Sequence, residues 1–268
     1  MSGVKITLLG TGGSAGSPQI GGADGSGEWG SLDPNEPRNR RSRPSIVIEA
    51  PDGRRLLVDT GPDLRLQLTV NKIPKIDAVL YTHAHADHVA GLDEVRILNR
   101  LIGVPMPAYA MAVDWAELQD RFDYAFRPWT GPAFFRPVFE RHDVEPGQSH
   151  EIIGLPVRLI GQDHGFGTSL GLRIGGFAYC TDVVRLDEAA LGQLENLDVF
   201  VVDCFTRLEP HPTHANLEQV LAWVARLQPK RTILTHMGPS MDYAWLLANL
   251  PKGVEPGFDG LSLYSGFA

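Results

Sequence analysis

Short apolar runs bounded by glycine, proline and acidic residues alternate along the chain with stretches whose apolar positions recur every three to four residues. Lys5 to Leu9 is the first run and predicts a strand, ending in the loop Gly10-Thr11-Gly12-Gly13-Ser14-Ala15-Gly16. Ile46 and Ile48 alternate with Val47 and Glu49, Pro51-Asp52-Gly53 turns the chain, and Leu56 to Asp59 returns; this predicts a hairpin. Asp63 to Asn71 reads as a helix, and Ala78 to Thr82 as a buried strand running directly into His83. Val89 to Leu101 carries apolar residues at 89, 92, 95, 98 and 101, a spacing that predicts one continuous helix.

The pattern continues with a strand after residue 103, a helix from Ala112 to Phe122 and an aromatic loop from Tyr124 to Phe135. Several strands follow between Val138 and Cys180, with Gly175-Gly176 as a hairpin turn. Leu197 to Cys204 predicts a strand, Ala215 to Leu227 a helix, Arg231 to Thr235 a strand into His236, and Asp242 to Leu250 the last helix. Residues 20–44 are rich in Gly, Pro, Asn and Arg with no hydrophobic period, so they predict a long loop, a kind of segment usually kept for function. No linker interrupts the pattern, and residues 1–268 are expected to form a single α/β domain. The order strand-rich, helix, strand-rich, helix suits two sheets packed together with helices on their outer faces. Leu80-Tyr81-Thr82-His83 and Ile233-Leu234-Thr235-His236 echo each other, two apolar strands that each end in Thr-His.

Composition narrows the function. A net charge of −8 argues against general affinity for nucleic acid, which needs a clustered basic footprint. Arg38, Arg40, Arg41 and Arg43 fall within six positions; they read first as a solvated loop, with a local site for a small phosphorylated ligand as the functional alternative. The two cysteines, Cys180 and Cys204, each lie in an apolar strand-like segment, so no disulfide framework is implied. Met1 to Ile6 shows no signal-peptide core, and no apolar run approaches the ~18–20 residues needed to span a bilayer; a cytoplasmic protein with no membrane partner is expected. Glycines at 10, 12 and 16 do not follow the dinucleotide-binding spacing, and Pro18 falls where its helix should run, so a loop over a site is the better reading.

The chemistry concentrates in His83-Ala84-His85-Ala86-Asp87-His88, just past one strand and just before a helix. In an extended turn alternate side chains point the same way, so His83 and His85 can meet one cation while Asp87 and His88 address a second. Imidazole and carboxylate donors without a thiolate suit zinc, manganese or iron. Four ligands in one loop cannot complete two sites. The further candidates are polar residues at the ends of apolar strands: His164, Asp182 and His236. A carboxylate such as Asp182 can bridge two cations at the ~3.5–4 Å separation of two-metal chemistry.

H-x-H-x-D-H followed by His, Asp and His in that order resembles the metallo-β-lactamase superfamily. The resemblance implies an αββα sandwich of two mixed β-sheets. It also implies two divalent metal ions, zinc or manganese, with His83, His85 and His164 on one, Asp87, His88 and His236 on the other, and Asp182 bridging. Glu209-Pro210-His211-Pro212-Thr213-His214 leads into a helix, with His214 22 residues before His236. With Gly10-Thr11-Gly12, Asn39-Arg40-Arg41 and Leu234-Thr235-His236-Met237, this resembles the PhnP-type phosphodiesterases, which hydrolyse phosphoribosyl 1,2-cyclic phosphate. Many members of that family carry cysteines for a structural zinc in the first long loop. Here Gly21 to Gly30 reads GGADGSGEWG and contains none.

The expected reaction is hydrolysis of a small, cyclic phosphodiester by a hydroxide bridging the metals. Asp87 and His214 are the expected catalytic residues, and His214, His211 and Arg41 the expected substrate contacts. A histidine at a helix N-terminus beside a metal pair can pass a proton or hydrogen bond to a phosphate oxygen. The alternatives are a tRNA 3′-processing endonuclease, which needs a basic docking surface, and a thioester or lactam hydrolase. A non-catalytic module of the same fold should show broken ligands, and all seven are present. The expected partner is a small phosphorylated substrate, with a homodimer left open.

Overall fold

The computed structural model describes residues 3–128, 131 and 138–267. Two seven-stranded sheets carry the fold. The first contains β1 (Gly3–Gly10), β2 (Ser45–Glu49), β3 (Arg55–Val58), β4 (Ala78–Leu80), β5 (Met106–Ala110), β6 (Phe139–Asp143) and β14 (Ser262–Gly266), in the order β14-β1-β2-β3-β4-β5-β6. The second contains β7 (Ser149–Ile152), β8 (Leu155–Asp163), β9 (Thr168–Ile174), β10 (Phe177–Cys180), β11 (Val199–Asp203), β12 (Arg231–Thr235) and β13 (Val254–Pro256), in the order β13-β12-β11-β10-β9-β8-β7.

Each sheet is mixed in the same way. Antiparallel pairs join β14-β1-β2-β3 and β7-β8-β9-β10, and parallel pairs join β3-β4-β5-β6 and β10-β11-β12-β13. By this matching β3 corresponds to β10 and β4 to β11. The echo between the Thr-His ends of β4 and β12 therefore joins strands at different places in the repeat. The better structural match pairs Asp59, after β3, with Asp182, after β10.

Helices cover both outer faces: α1 (Leu64–Val70), α2 (Ala86–Val89), α3 (Val95–Ile102), α4 (Ala112–Arg121) and α5 (Asp123–Phe126) on the first sheet, α6 (Glu188–Gln193), α7 (Leu217–Leu227) and α8 (Tyr243–Asn249) on the second. Ile46, Ile48, Leu56 and Val58 meet Leu170, Leu172, Tyr179 and Val201 between the sheets, while Val47, Leu57 and Val79 face the helices. Strands buried on both faces explain the near-continuous apolar runs in the sequence.

The predicted helix from Val89 to Leu101 is broken. After α2 the chain tightens at Ala90-Gly91, makes a short 3-10 turn at Leu92–Glu94 and resumes as α3. Val89, Leu92, Val95 and Leu98 are buried as their spacing requires, but Leu101 is 64% exposed. The break follows from crowding: the Gly91 N–H donates to the Thr60 carbonyl at 2.8 Å, and a Cβ on Gly91 would lie 2.1 Å from the Gly61 carbonyl oxygen. Half of the predicted aromatic loop from Tyr124 to Phe135 lies outside the described residues; its start, through Phe126, is the end of α5.

Residues 20–44 form the expected loop, with one 3-10 turn at Pro37–Asn39. It is tied down at both ends: Ser17 and Arg41 bridge, the Ser31 N–H bonds the Pro239 carbonyl, and Asn39 Nδ2 reaches Asp242 at 2.7 Å. Both cysteines are buried free thiols. Among the described residues no helix is long and apolar enough to cross a membrane.

Candidate metal centre and active site

The strands that run parallel within each half end at one edge, and polar residues follow there: Asp59 after β3, His83 after β4, His164 after β8, Asp182 after β10 and His236 after β12. Asp203 is the last residue of β11. Asp59, Asp182 and His236 take φ values of 65°, 54° and 53°. A non-glycine residue held in that left-handed region costs on the order of 1–3 kcal/mol, and such strain gathers where function requires it. Here it turns three strand ends toward one point.

His83 and His85 precede α2, His85 in extended backbone, and Asp87 and His88 lie in its first turn. Helix α4 holds the peptide between the two histidines from both sides. Asp114 accepts the Ala84 N–H, and the Arg121 guanidinium donates to the Ala84 carbonyl. Beneath the motif, Thr60 N–H bonds the His88 carbonyl at 2.7 Å, and Gly61 passes so close to Asp87 that a Cβ would lie 2.4 Å from the Asp87 carbonyl oxygen.

Ligand-type atoms within 4.8 Å of one another gather in four overlapping groups: His164, Asp182 and His214; Asp203, His214 and His236; and, the two that carry the expected ligands, His83, His85 and His164, then Asp87, His88, Asp182 and His236. Asp182 lies between them. Its Oδ1 is 3.8 Å from His83 Nε2, 3.7 Å from His164 Nε2 and 3.3 Å from His236 Nε2, while Oδ2 is 3.1 Å from His88 Nε2. The far sides of the rings are engaged: His83 Nδ1 with Thr82 Oγ1 at 3.0 Å, His88 Nδ1 with Asp59 Oδ2 at 2.7 Å, His164 Nδ1 with the Thr213 carbonyl at 2.8 Å. Yet His83 Nε2, His88 Nε2, His236 Nε2 and Asp87 Oδ2 are buried with no hydrogen-bond partner. An unsatisfied buried polar atom costs roughly 1–3 kcal/mol, so four facing one space need a common partner. Imidazoles fixed from behind by carboxylate or carbonyl groups are how proteins hold divalent metal, and these residues fit one.

The charge pattern agrees. Burial holds His83 well below its ordinary pKa, and burial lowers His164 too. Burial alone would also lower His88 and His236, but the carboxylates around them win. Asp182, Asp59 and Asp87 raise His88 well above its usual range, and Asp182, Asp87 and Asp203 raise His236 to about 9. Burial opposes the charge on Asp87 and Asp182, yet the neighbouring imidazoles hold both well below the usual carboxylate range.

His214 is buried beside this centre and stacks on His236 with ring centroids 4.5 Å apart. Its Nδ1 bonds Asp203 Oδ2 at 2.8 Å. His211 lies alongside, 5.0 Å from His214 ring to ring, with Nδ1 held by Thr213 Oγ1 at 3.2 Å. Phe205 packs against His211, His214 and His236, and a Cβ on Gly13 would lie 2.6 Å from its ring, so the Gly10–Gly16 loop does pass over this corner. Arg41 is placed differently. It is buried, and its Nη2 donates to the Met241 carbonyl at 2.7 Å and to Asn39 Oδ1 at 3.2 Å, stapling the long loop to the segment before α8. Asp59, Asp203 and Asp114 were not singled out by the sequence. The signal for the first two was present, since each is a carboxylate at the end of an apolar strand, as Asp182 is.

A model of the beta-lactamase superfamily domain matches residues 54–237. The chain belongs to that superfamily. It is a metal-dependent hydrolase with the superfamily's αββα sandwich. The solved structure of a diphosphatase from the PhnP family superposes with a TM-score of 0.86 at 34% identity, covering 98% of this chain and 97% of that one. An octanoyltransferase of Porphyromonas gingivalis is 28% identical over 263 residues, 96% of this superfamily member but 51% of the relative, so the chain spans about half of that protein's length. A ribonuclease Z of Mycobacterium sp. is 27% identical over 294 residues, covering 96% of this chain and 94% of the relative.

Proposed function

We propose that this superfamily member is a two-metal phosphodiesterase acting on a small, cyclic phosphodiester of a sugar, such as phosphoribosyl 1,2-cyclic phosphate or a cyclic nucleotide. The observation that carries the reading is His214, a buried histidine beside the seven expected ligands, stacked on His236 and fixed from behind by Asp203. Likeness to the PhnP-family diphosphatase along nearly the whole chain supports it.

In this reading His83, His85 and His164 hold one divalent ion, Asp87, His88 and His236 the other, and Asp182 lies between them. Zinc or manganese suits the imidazole–carboxylate donor set. When bound, the ions supply a water of lowered pKa and neutralise charge on the phosphoryl oxygens. The chain's own residues do the rest. Asp203 takes the Nδ1–H of His214, which leaves Nε2 as the nitrogen that meets the substrate. From there His214 passes a proton to the departing oxygen or donates a hydrogen bond to the phosphate. His211 supports the same corner, and Asp87 orients the attacking water while serving as a ligand. Arg41 acts on substrate only through the loop it anchors.

The ribonuclease Z relative favours a second reading, cleavage of tRNA at its 3′ end. The net charge of −8 weighs against it, because RNA docking needs a basic surface. Assaying phosphoribosyl 1,2-cyclic phosphate, a 2′,3′-cyclic nucleotide, bis(p-nitrophenyl) phosphate and short RNA side by side, with manganese and with zinc, separates the two. Turnover of the small diesters is expected. Cleavage of RNA alone, with binding that falls steeply with salt, overturns the proposal.

A further inference from the structure

Asp259 stands outside both sets of expected ligands and takes no part in the reaction as described, yet it gathers three distant segments of the chain. Its Oδ1 accepts the Thr11 N–H at 2.9 Å and the Thr11 hydroxyl at 2.8 Å; its Oδ2 accepts the N–H and the hydroxyl of Ser42, both at 2.7 Å. A carboxylate offers about four acceptor positions, and here all are filled. Burial pushes its pKa up to about 6, so the group stays ionised at neutral pH and the four bonds are charge-assisted. The residue is itself held between the sheets, in the link from β13 to β14. On one side the Gly257 N–H bonds the Leu234 carbonyl of β12 at 2.9 Å, and on the other the Gly260 N–H bonds the Leu8 carbonyl of β1 at 2.7 Å.

From this carboxylate the bonds continue to the metal centre. The Thr11 carbonyl accepts the Met237 N–H at 2.8 Å, the Gly13 N–H returns to the Met237 carbonyl at 3.1 Å, and Met237 follows His236. At Gly13 a Cβ would lie 3.7 Å from His236 Cε1 as well as against Phe205. Gly10, Gly12 and Gly13 have no side chain to pack, and glycine has the most backbone freedom to lose. Thr11 is thus the one side chain in that stretch by which the loop can be gripped.

We propose that Asp259 is a positioning residue of the active site: its clasp on Thr11 and Ser42 holds the Gly10–Gly16 loop against Phe205 and His236, and the loop so held is the wall of the substrate pocket beside His214. The inference takes the place of that pocket from the phosphodiesterase reading above. Asp259 acts only through the loop and never meets the substrate. An amide in its place turns one oxygen into a donor that faces an N–H and a hydroxyl, so Asp259→Asn opens one half of the clasp.

Metal-loaded native protein is to be compared with Asp259→Asn and with the milder Thr11→Val, which keeps the shape of residue 11 and removes its hydroxyl. Each is assayed well below its melting temperature. Asp259→Asn should lose about 10–100-fold in kcat/KM for phosphoribosyl 1,2-cyclic phosphate and for bis(p-nitrophenyl) phosphate, the scale on which small misplacements act. KM should carry most of the loss. Thr11→Val should lose less, and Thr11→Ser should recover most of what it loses. Inhibition by inorganic phosphate, which the metals bind without the loop, should not change. Amide hydrogen exchange should quicken across residues 10–16 in Asp259→Asn. A folded Asp259→Asn protein with native kcat/KM overturns the assignment, and so does a loss matched by weaker phosphate inhibition, which places the damage at the metals. If the native protein hydrolyses no phosphodiester, the phosphodiesterase reading falls by itself. The clasp is then decided by exchange: quickened exchange at residues 10–16 in Asp259→Asn upholds it, and native protection there overturns it.

Discussion

Asp203 Oδ2 accepts a hydrogen bond from His214 Nδ1 at 2.8 Å and another from the Val183 N–H at 3.1 Å, so one buried carboxylate ties the non-ligand histidine to the strand end beside the metal-ligand candidates. The pair fixes which nitrogen of His214 meets the substrate. The His214→Ala protein should keep its metals and lose roughly 10²–10⁴-fold in kcat, the usual worth of general acid–base help. Asp203→Asn should fall between that variant and the native protein, because an amide can still accept the Val183 N–H while the ring loses its charged partner. Metal content by mass spectrometry and kcat on an aryl phosphodiester check both. Unchanged turnover in His214→Ala removes the assignment.

The two ligand groups differ in proton content before metal arrives. His88 is held protonated by three carboxylates and His236 by its raised value of about 9, whereas burial keeps His83 and His164 neutral. Filling the centre at pH 7 should therefore release about two protons, mainly from the Asp87, His88, Asp182 and His236 group. Calorimetric titrations in buffers of different ionisation enthalpy count them; release of none would contradict the charge assignment. The same shift has a sign in the metal-free protein. His236 titrates above its ordinary 6.5, so its proton stabilises the fold fully below about 6.5, and that contribution is lost as pH rises through about 9. Thermal melts of chelator-treated protein should drop across that window, and metal-loaded protein should not follow.

Asp59 never faces the substrate, yet it holds His88 Nδ1 at 2.7 Å and takes both the N–H and Oγ1 of Thr82 at 2.8 Å. Removing a carboxylate behind a metal-bound histidine typically weakens metal binding about 10–100-fold. Asp59→Ala should show that loss at the second ligand group, read by competition with a chromophoric chelator, while His83, His85 and His164 keep theirs. Equal loss at both would mean that Asp59 supports the fold and not one site.

Much of this centre was legible because its parts sit where apolar strands stop. A polar residue at such an end needs a reason, and His164, Asp182 and His236 are brought together as that reasoning expected. The same rule applied evenly finds Asp59 and Asp203, which lie inside the predicted strands Leu56 to Asp59 and Leu197 to Cys204. The broken helix after His88 depends on how Thr60 and Gly61 cross beneath Gly91, a contact between segments 30 residues apart that no local period carries. Arg41 shows the same limit. Its neighbours Arg38 and Arg40 stack on Tyr243 and Trp29, but Arg41 turns inward to Met241, 200 positions away, and the run of arginines gives no sign of which one is buried.

The central claim, that a pair of divalent ions held by these seven residues drives phosphodiester hydrolysis, is met most directly by titrating metal back into chelator-treated protein while following turnover of bis(p-nitrophenyl) phosphate. Activity should rise with zinc or manganese and reach its plateau at two equivalents per chain. A plateau at one equivalent, or full turnover in the metal-free protein, would contradict it.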